Sequence, residues 1–439
     1  MPNEARSMHL GAFLFNLGNH VAAWRHLDTP PAGLMDVRFY AHLAQVAERG
    51  CFDFVFHSDG VGINDTYPEI VGHTVTIRPE PTTLLSALSA VTSRIGLAAT
   101  ISTTYHEPYA VARTFATLDH ISGGRAAMNV VTSSTVQEAR NHGAEAHLDH
   151  AARYRRAAEF VDVCRGLWDS WEDGAILADQ RSGRFADPAR VHHLDHRGAF
   201  FAVRGPLNVP RPPQGHPVLI QAGTSSDGQR LAADIADLVF TVNTGFEDAQ
   251  RRYAALKLAA AAAGRAVAPK ILPGFMPVVA ETREQAQAEY DRLQALIPGE
   301  IAIPYLSDLV EHDLSAYPLD RPLPMLPAIN GGVGRLEMIR SLGEQGLTLG
   351  AIAQRMLLGR GHWTVIGTAA EVADEMQRWF EGGACDGFNI LATHHPGGLE
   401  RFVDLVVPEL QRRGLFRTAY TGSTLREHLG LERPPNRFT

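Results

Sequence analysis

The sequence predicts a closed (β/α)8 barrel. It contains short apolar runs without polar alternation, which is typical of parallel strands that are buried on both faces. Segments with apolar residues at helical spacing separate these runs, and this pattern indicates a parallel sheet covered by helices. Eight such units in 439 residues favour a closed barrel, because an open doubly wound sheet is expected to have about five or six strands.

The first half of the chain supplies four of the predicted strands and the helices between them. Glycine closes two of these helices, Gly50 the first and Gly123 the third, as expected at helix ends. The predicted strands are residues 8–16, 52–59, 95–103 and 125–134, and the predicted helices are residues 36–49, 82–92 and 109–120.

The second half continues the pattern with two interruptions. A helix over about residues 150–168 follows the fourth strand, and a helix over residues 369–382 precedes the last one. The interruptions, residues 169–216 and 298–361, are expected to be insertions on the catalytic face of a single domain that spans residues 1–439. The remaining strands are residues 217–223, 238–243, 271–280 and 387–391.

The second insertion contains several prolines and then the run Gly331-Gly332-Val333-Gly334. Long segments on the catalytic face of a barrel often serve as lids, and glycines can supply the hinge. A segment that only packs against the barrel or contacts another subunit would have a similar composition. Both interpretations stay open from the sequence.

Composition and charge limit the classes of partner. Hydrophobic residues make up 45% and charged residues 20% of the chain, which is ordinary for a globular protein with a large core. The net charge of −8, without a basic stripe, argues against nucleic acid and anionic membranes as partners. The sequence shows neither a secretory signal nor an apolar run long enough for a membrane span. We therefore expect a cytoplasmic protein with a small-molecule ligand.

The sequence indicates neither a disulfide framework, nor a metal site, nor a dinucleotide fingerprint. Cys51, Cys164 and Cys385 are scattered and form no CxxC motif. The histidines of residues 142–150 and 192–196 match no zinc-binding motif such as HExxH, so no metal is expected. No GxGxxG motif follows the first strand, and a nicotinamide-binding Rossmann domain is therefore disfavoured.

Polar residues follow nearly every predicted strand, where a barrel has its active site. The fourth strand ends in Thr132, Ser133 and Ser134, and the helix after it begins near His150 and carries Tyr154. Hydroxyl groups and a helix N-terminus together can bind an anion, because backbone N–H groups and the helix dipole point at it. This stretch therefore predicts a phosphate site.

Several motifs in the same order resemble one family over essentially the whole chain. The family is that of the flavin-dependent monooxygenases of the bacterial-luciferase-like superfamily, in the group that contains nitrilotriacetate, dibenzothiophene-sulfone and long-chain alkane monooxygenases. The motifs are FDFVFHSD at residues 52–59, STTYHEPY at 102–109, TLDHISGGR at 117–125, NVVTS at 129–133, GPLNVPRPPQG at 205–215 and VVPELQRRG at 406–414.

This resemblance implies a two-component monooxygenase. A separate NAD(P)H:flavin reductase would supply reduced FMN (FMNH2), and O2 as co-substrate would give a C4a-peroxyflavin that transfers one oxygen atom to a small organic substrate. The missing nicotinamide fingerprint fits a chain that receives its electrons on flavin. We also expect a homo-oligomer, a dimer or a tetramer. The alternatives are a flavin- or F420-type oxidoreductase of the same fold that does not use O2, and a flavin-binding protein without enzymatic activity.

The resemblance also assigns FMN contacts at several strand ends. Hydroxyl groups and helix-start N–H groups would bind the phosphate, and the other polar groups would bind the ribityl chain and the ring edge. Ser and Thr at such positions are also ordinary helix caps, a role that is compatible with binding. The assigned residues are Asp59, Thr100, Thr103, Ser133, Ser134, His150, Tyr154, Thr224, Ser225 and Ser226.

The same resemblance places the substrate beside the first strand. His20 could polarise a carbonyl or move a proton, because the usual pKa of histidine is near neutrality, although a capping role stays open. His312, in the second insertion, is another candidate catalytic residue. Leu17 stands where the alkane monooxygenases have a cysteine, so a cysteine-assisted role is in doubt. Trp24 and Arg25 match pocket positions, and because one is apolar and the other cationic they leave the substrate open.

Overall fold

The computed structural model describes residues 6–63, 65–243 and 245–439. Eight parallel strands, β1 to β8, form a closed barrel, because the pairing of the sixth strand with the seventh completes the ring. The predicted (β/α)8 barrel and its eight strands are confirmed. The strands are β1 His9–Phe13, β2 Phe54–His57, β3 Gly96–Ser102, β4 Ala126–Val131, β5 Val218–Gln221, β6 Leu238–Thr241, β7 Lys270–Val279 and β8 Gly387–Ile390.

The barrel strands are buried on both faces, which explains why their sequences lack polar alternation. Successive side chains point to opposite faces of a strand. One set, which includes Phe56, Ala98, Ala127 and Ile220, forms an apolar cluster inside the barrel. The other set, which includes Val55, Leu97 and Met128, packs in the larger core with the helices.

The outer helices begin and end at the expected local signals. Asp36 caps the first helix by accepting a hydrogen bond from the Arg38 N–H, and Gly123 ends the third with a left-handed φ of 69°. None of the described helices is both long and apolar enough to cross a membrane. The outer helices are Val37–Arg49, Pro81–Ser89, Pro108–Ser122, His150–Trp168, Ser226–Ile235, Phe246–Ala262, Arg283–Ala295 and Ala369–Glu381, followed after β8 by Gly397–Arg401 and Val407–Arg412.

The second insertion forms a helical layer at the C-terminal ends of the strands. Its helices Ala302–Leu309, Val333–Glu344 and Leu349–Gly359 share an apolar cluster separate from the main core. The segment that follows, Trp363–Gly367, pairs in parallel with the second half of β7. The sequence did not predict this additional strand, because it is short and four of its five residues are only half-buried.

The first insertion lies at the opposite end of the barrel, so the expectation that both insertions cover the catalytic face is wrong for this one. It joins the end of a helix to the start of β5, and such connections run along the N-terminal face of a barrel. Gln214 accordingly donates to the carbonyl of Ala126, at the start of β4, over 3.0 Å. The insertion contains two short hairpins, Ile176–Asp179 with Arg184–Ala186 and His196–Arg197 with Ala202–Val203.

The C-terminal segment fills the same end of the barrel. Leu425 and Leu429 belong to the apolar cluster inside the barrel, and the short helix Leu425–His428 carries the first of them. Arg426 donates to Asp237, the residue before β6, over 2.9 Å. Because these leucines occupy the N-terminal end, a ligand has the C-terminal end of the barrel available to it.

Arg125, directly before β4, is buried and satisfies several backbone carbonyls. Its guanidinium donates to the carbonyl oxygens of Ser122, Ile95, Ser89 and Thr92 over 2.7 to 3.0 Å. It also donates to the Thr92 hydroxyl over 2.9 Å. Removing the guanidinium would leave these buried acceptors without a donor, which costs more than the hydrogen bonds themselves contribute.

We predict that Arg125→Met lowers the free energy of unfolding by at least about 3 kcal/mol, because several buried acceptors each lose about 1 kcal/mol or more. Urea unfolding followed by circular dichroism measures the change. Arg113→Met, at an exposed position of the neighbouring helix, is the control and should stay within about 0.5 kcal/mol of the unchanged protein. Equal effects of the two substitutions would contradict the prediction.

Candidate active site at the C-terminal end of the barrel

The ends of β2, β3 and β4 are joined by side-chain hydrogen bonds. The Thr100 hydroxyl donates to the carbonyl of His57 over 2.9 Å and accepts from the amide of Asn129 over 3.0 Å. The Thr103 hydroxyl donates to the Val131 carbonyl over 3.0 Å. Thr100 and Thr103 are therefore buried residues that fix the relative positions of the strand ends.

Ser133 and Ser134 lie where β4 turns away from the barrel. Ser133 has a left-handed φ of 56°, and its hydroxyl is 2.8 Å from the Ser102 hydroxyl. It also donates to Glu138 over 3.2 Å, and Glu138 accepts the N–H groups of Ser134 and Thr135 over 3.0 Å each. A non-glycine residue in this conformation costs free energy and is typical of functional sites.

The loop after β5 meets the helix His150–Trp168. A side chain at Gly223 would place its Cβ 2.8 Å from the Tyr154 hydroxyl, so only glycine lets the tyrosine approach this loop. The His150 ring contacts the Tyr154 ring with centroids 4.9 Å apart, and its Nδ1 is 3.0 Å from the Asp227 carboxylate. The structure thus brings together the two segments that the sequence assigned to the phosphate.

Ser225 caps the next helix, Ser226–Ile235, by accepting a hydrogen bond from the Gly228 N–H over 3.2 Å. Ser225 is buried, Thr224 is half-buried and Ser226 is exposed. The capping interpretation of Ser225 is therefore correct, and it leaves the other N–H groups of the first helical turn for a ligand.

The glycine run of the second insertion contacts this loop. A Cβ at Gly334 would clash with the Thr224 hydroxyl, and a Cβ at Gly331 would lie 2.5 Å from the carbonyl oxygen of Ser134. Neither glycine has a positive φ, so close approach, rather than backbone freedom, requires glycine here.

Arg153 attaches the same insertion to the barrel. Its guanidinium is buried and donates to the carbonyls of Leu148 and Asn330 over 2.7 and 2.6 Å. Asn330 directly precedes the glycine run. The insertion is thereby held against the side of the site that carries His150 and Tyr154.

Several buried polar atoms near the strand ends have no hydrogen-bond partner within the described part of the chain. Asn129 and Asn389 face the barrel interior by strand alternation, and the Oδ1 atom of each is unpaired. The Oδ1 atoms of Asn19 and Asn243 are also unpaired. Buried polar atoms are almost always paired in folded proteins, so this group indicates a polar ligand at the end of the barrel.

Asp59 lies half-buried after β2. Burial raises the pKa of its carboxyl, while the Gly60 N–H and the charge of Arg78 oppose that rise. The predicted residues Asp59, Thr100 and Thr103 therefore lie on neighbouring strand ends, around the rim from the loop after β5.

His20 is buried beside the end of β8, since its backbone N–H donates to the Thr393 carbonyl over 3.0 Å. Its Nδ1 accepts the Ala22 N–H over 3.1 Å, and its Nε2 is 3.4 Å from the Gln294 amide. Burial lowers the pKa of His20 to about 4. The ring is therefore neutral at pH 7.

The other substrate-side candidates are more widely distributed. Trp24 donates from its ring nitrogen to the His73 carbonyl over 3.0 Å. Arg25 is exposed and donates to the Leu296 carbonyl. His312 lies in the second insertion with its Nε2 3.4 Å from the Tyr317 hydroxyl.

A family model described as luciferase-like monooxygenase matches residues 12–385. The chain belongs to this family. N-acetyl-S-(2-succino)cysteine monooxygenase of Bacillus subtilis (strain 168) is 47% identical over 100% of both chains. Nitrilotriacetate monooxygenase component A of Aminobacter aminovorans is 45% identical over 98% of both. A riboflavin lyase crystal structure with modified FMN and riboflavin superimposes with a TM-score of 0.88 at 31% identity, covering 97% of this chain and 96% of that one.

This luciferase-like monooxygenase also carries a group of residues that the sequence analysis missed. The guanidinium groups of Arg78 and Arg360 both lie near Phe15, two residues beyond β1, with their Cζ atoms 5.6 and 4.5 Å from its ring centroid. Arg335 is near Arg360, since the charge of Arg360 lowers its pKa in addition to burial. These arginines come from separate segments without a shared motif, so no local signal would have grouped them.

The predicted histidine groups do not form a metal site among the described residues. His192 and His196 instead pair with Glu172 and Glu159 over 2.7 and 3.0 Å. A different cluster does have metal-ligand potential, since donor atoms of His26, Asp28 and His394 lie within 4.8 Å of one another. The His26 and His394 rings stack with centroids 3.8 Å apart, and His26 is 2.9 Å from the Glu289 carboxylate.

Five buried histidines of this luciferase-like monooxygenase lie at or near the open end of the barrel. Burial is the main cause that lowers their pKa values, to about 4 for His20, His57 and His395, about 3 for His362 and about 2 for His394. At pH values between these folded-state pKa values and the unfolded-state pKa of 6.5, the folded chain binds fewer protons than the unfolded chain. Stability therefore falls as the pH decreases below 6.5.

We predict that the free energy of unfolding falls as the pH is lowered from 6.5 to 5, by up to about 1.4 kcal/mol per pH unit for each of these histidines. Urea titrations at several pH values measure the slope. His395→Leu should reduce proton uptake on unfolding at pH 5 by about one proton relative to the unchanged protein. A flat profile over this range would overturn the prediction.

Proposed function

We propose that this protein is the oxygenase component of a two-component system. It would bind FMNH2 delivered by a separate NAD(P)H:flavin reductase and insert one atom of O2 into a small organic substrate through a C4a-peroxyflavin. The observation that carries this proposal is the cradle formed by Tyr154, Gly223 and the start of the helix Ser226–Ile235. Enzymes of this family use reduced flavin, and a relative of the same fold contains FMN.

The cradle fits the phosphate of FMN. The Tyr154 hydroxyl is directed at the loop after β5, and the first turn of the following helix offers backbone N–H groups and the positive end of a dipole. Asp227 would repel a phosphate, but His150 is paired with it over 3.0 Å. The remaining hydrogen-bond donors are neutral hydroxyl and backbone N–H groups, and the helix dipole would partly compensate the charge of the phosphate dianion.

The C-terminal end of the barrel, above the packed interior, suits the flavin ring system. Apolar side chains such as Phe13 and Phe56 fill the interior below the rim, and the unpaired amide oxygens of Asn129 and Asn389 lie on the same inward face. When bound there, reduced FMN would supply the electrons and the site of O2 activation. Flavin N–H groups could donate hydrogen bonds to these amide oxygens.

The protein's own residues would position the substrate and exclude water. The glycine run of the second insertion contacts Thr224 and the Ser134 carbonyl, so the insertion covers the phosphate side of the site. His20, neutral at pH 7 because burial lowers its pKa to about 4, would accept or relay a proton rather than hold a positive charge. His312 stays a candidate on the insertion side, and the oligomeric state expected from the sequence stays a prediction.

Two relatives are named for chemically similar substrates. N-acetyl-S-(2-succino)cysteine and nitrilotriacetate each carry three carboxyl groups. Other relatives are named for dibenzothiophene sulfone and for long-chain alkanes, which carry none. The family therefore combines one fold and one kind of reaction with chemically different substrates, and the residues around the substrate must make the difference.

We predict that photochemically reduced FMN, mixed with the protein and O2 in a stopped-flow instrument, passes through a transient C4a adduct whose absorbance differs from that of both reduced and oxidised FMN. Free FMNH2 with O2 is the control and should give no such phase. Flavin reoxidation without this phase would favour a flavin- or F420-type oxidoreductase that does not use O2. An adduct that no substrate ever consumes would favour a flavin-binding protein.

We predict that Tyr154→Phe and Ser225→Ala each weaken FMNH2 affinity by about 1 to 2 kcal/mol, because each removes a hydrogen bond to a charged phosphate. Anaerobic fluorescence titration measures the affinity. Ser225→Ala also removes a helix cap, so Thr282→Ala is its matched control, since Thr282 caps the helix Arg283–Ala295. That control should lose similar stability and retain FMNH2 affinity, and unchanged affinity in both test variants would refute the phosphate assignment.

A further inference from the structure

We infer that Arg78, Arg335 and Arg360 form a site for the anionic groups of the substrate, which would therefore carry two or more carboxylates. The inference rests on the proposed function, because it assumes that the substrate occupies the end of the barrel beside the flavin. It goes further by naming the chemical class of the substrate and the residues that select it.

Phe15 and Tyr305 define the position of two of these guanidinium groups. The Cζ atoms of Arg78 and Arg360 are 5.6 and 4.5 Å from the centroid of the Phe15 ring. Arg360 also donates to the Tyr305 hydroxyl over 2.9 Å and to the Asn19 carbonyl over 3.2 Å. Because Phe15 and Asn19 follow β1, both arginines lie at the rim of the barrel, where the family resemblance places the substrate.

Arg78 is short of hydrogen-bond partners. Its Nε atom is buried and has no partner within the described residues. Burial lowers the pKa of its guanidinium, the charge of Asp59 opposes that fall, and the charge of Arg360 adds to it. A half-buried guanidinium with an unpaired N–H group is costly, and an anionic ligand that accepted from it would reduce that cost.

Arg335 directly follows Gly334, which lies so close to the Thr224 hydroxyl that a Cβ there would clash, so Arg335 lies at the rim of the barrel. Burial within the surrounding protein lowers the pKa of its guanidinium, and the charge of Arg360 adds to that effect. Arg335 lies in the first turn of the helix Val333–Glu344, where a cation is unfavourable for the helix dipole. Helix stability therefore does not account for an arginine at this position.

The charges of the three arginines also affect the pKa values of nearby histidines. The charges of Arg335 and Arg360 both contribute, after burial, to the low pKa of His362, and Arg360 does the same for His20. Among the described residues none of the three arginines forms an ion pair with a carboxylate within 4.0 Å. The charges of Asp59 and Glu138 act on Arg78 and that of Asp308 acts on Arg335, so positive charge at this part of the rim is only partly compensated.

The chemistry of this group favours carboxylates. A guanidinium is planar and binds a carboxylate through two parallel hydrogen bonds, with both geometric selectivity and affinity. The two guanidinium groups beside the Phe15 ring would hold separate carboxylates of one molecule, while the aromatic rings contact the carbon or thioether chain between them. Alkanes and uncharged sulfones would leave all three cations unpaired, so this site would reject them.

The test uses the full chain with bound FMN and two tricarboxylate probes, nitrilotriacetate and (carboxymethylthio)succinate. Isothermal titration calorimetry should show binding of at least one probe and at least tenfold weaker binding of its trimethyl ester. Arg78→Gln, Arg335→Gln and Arg360→Gln should each weaken probe binding by at least tenfold. Arg321→Gln removes a charge from an exposed position of the same insertion and should leave binding unchanged.

Lysine substitutions separate the guanidinium from its charge. Arg78→Lys and Arg360→Lys should bind the probe with intermediate affinity, because an ammonium group keeps the charge but loses the fork of donors. Circular dichroism and FMNH2 affinity, measured on every variant, should match the unchanged protein. These two measurements distinguish a lost site from a lost fold.

Three outcomes would overturn the inference. They are equal binding of the trimethyl esters, no binding of either probe, and a loss of FMNH2 affinity in the glutamine variants, which would assign the arginines to the flavin. Formation of the C4a adduct without substrate tests the proposed function separately. An adduct without probe binding would refute only the inferred substrate class, whereas probe binding without an adduct would refute only the proposed oxygenase function.

Discussion

Closure of the barrel through the pairing of β6 with β7 is the constraint on which the rest of the structure depends. In a closed parallel barrel every strand ends at the same rim, so loops that are far apart in the chain become neighbours. The parallel register that places Ser102 beside Val131 is one example, because it brings the loops after β3 and β4 into hydrogen-bonding distance. Closure likewise makes the loop after β1 part of the same cavity as the loop after β5.

Different segments of the chain cover the two ends of the barrel. Leu425 and Leu429 fill the N-terminal end with apolar side chains, and the first insertion packs around that end. The second insertion covers the C-terminal end and is attached through Arg153 to the helix that carries Tyr154. A polar ligand at this end would meet unpaired amide oxygens below it and a helical layer above it, and exclusion of water by that layer would strengthen every electrostatic contact.

Sequence was sufficient to locate candidate residues that are adjacent to a strand end. Thr103, Ser133 and Ser225 follow directly from strand periodicity and barrel geometry, and the structure places them at the rim. It was insufficient for Arg78 and Arg360, because their proximity depends on how a long loop and the second insertion fold over Phe15. The first insertion leads from a helix directly into the barrel strand β5, and this connectivity favours the N-terminal face. The second insertion leads into the additional strand Trp363–Gly367, which pairs only with the second half of β7, and it lies at the other end. Composition alone does not specify a face.

The distribution of charge around the rim separates two kinds of anion recognition. On the side of β5, His150 is paired with Asp227 and the Arg153 guanidinium donates to backbone carbonyls, so neutral hydroxyl and N–H groups are left to meet a phosphate. On the side of β1, Arg78 and Arg360 lack carboxylate partners among the described residues. A substrate carboxylate would gain more from a guanidinium fork than from a helix start, whereas the tetrahedral phosphate suits the convergent N–H groups of a first helical turn. With this arrangement an anionic substrate would not compete with the cofactor for its cradle, and the flavin ring between the two sites would keep their negative charges apart.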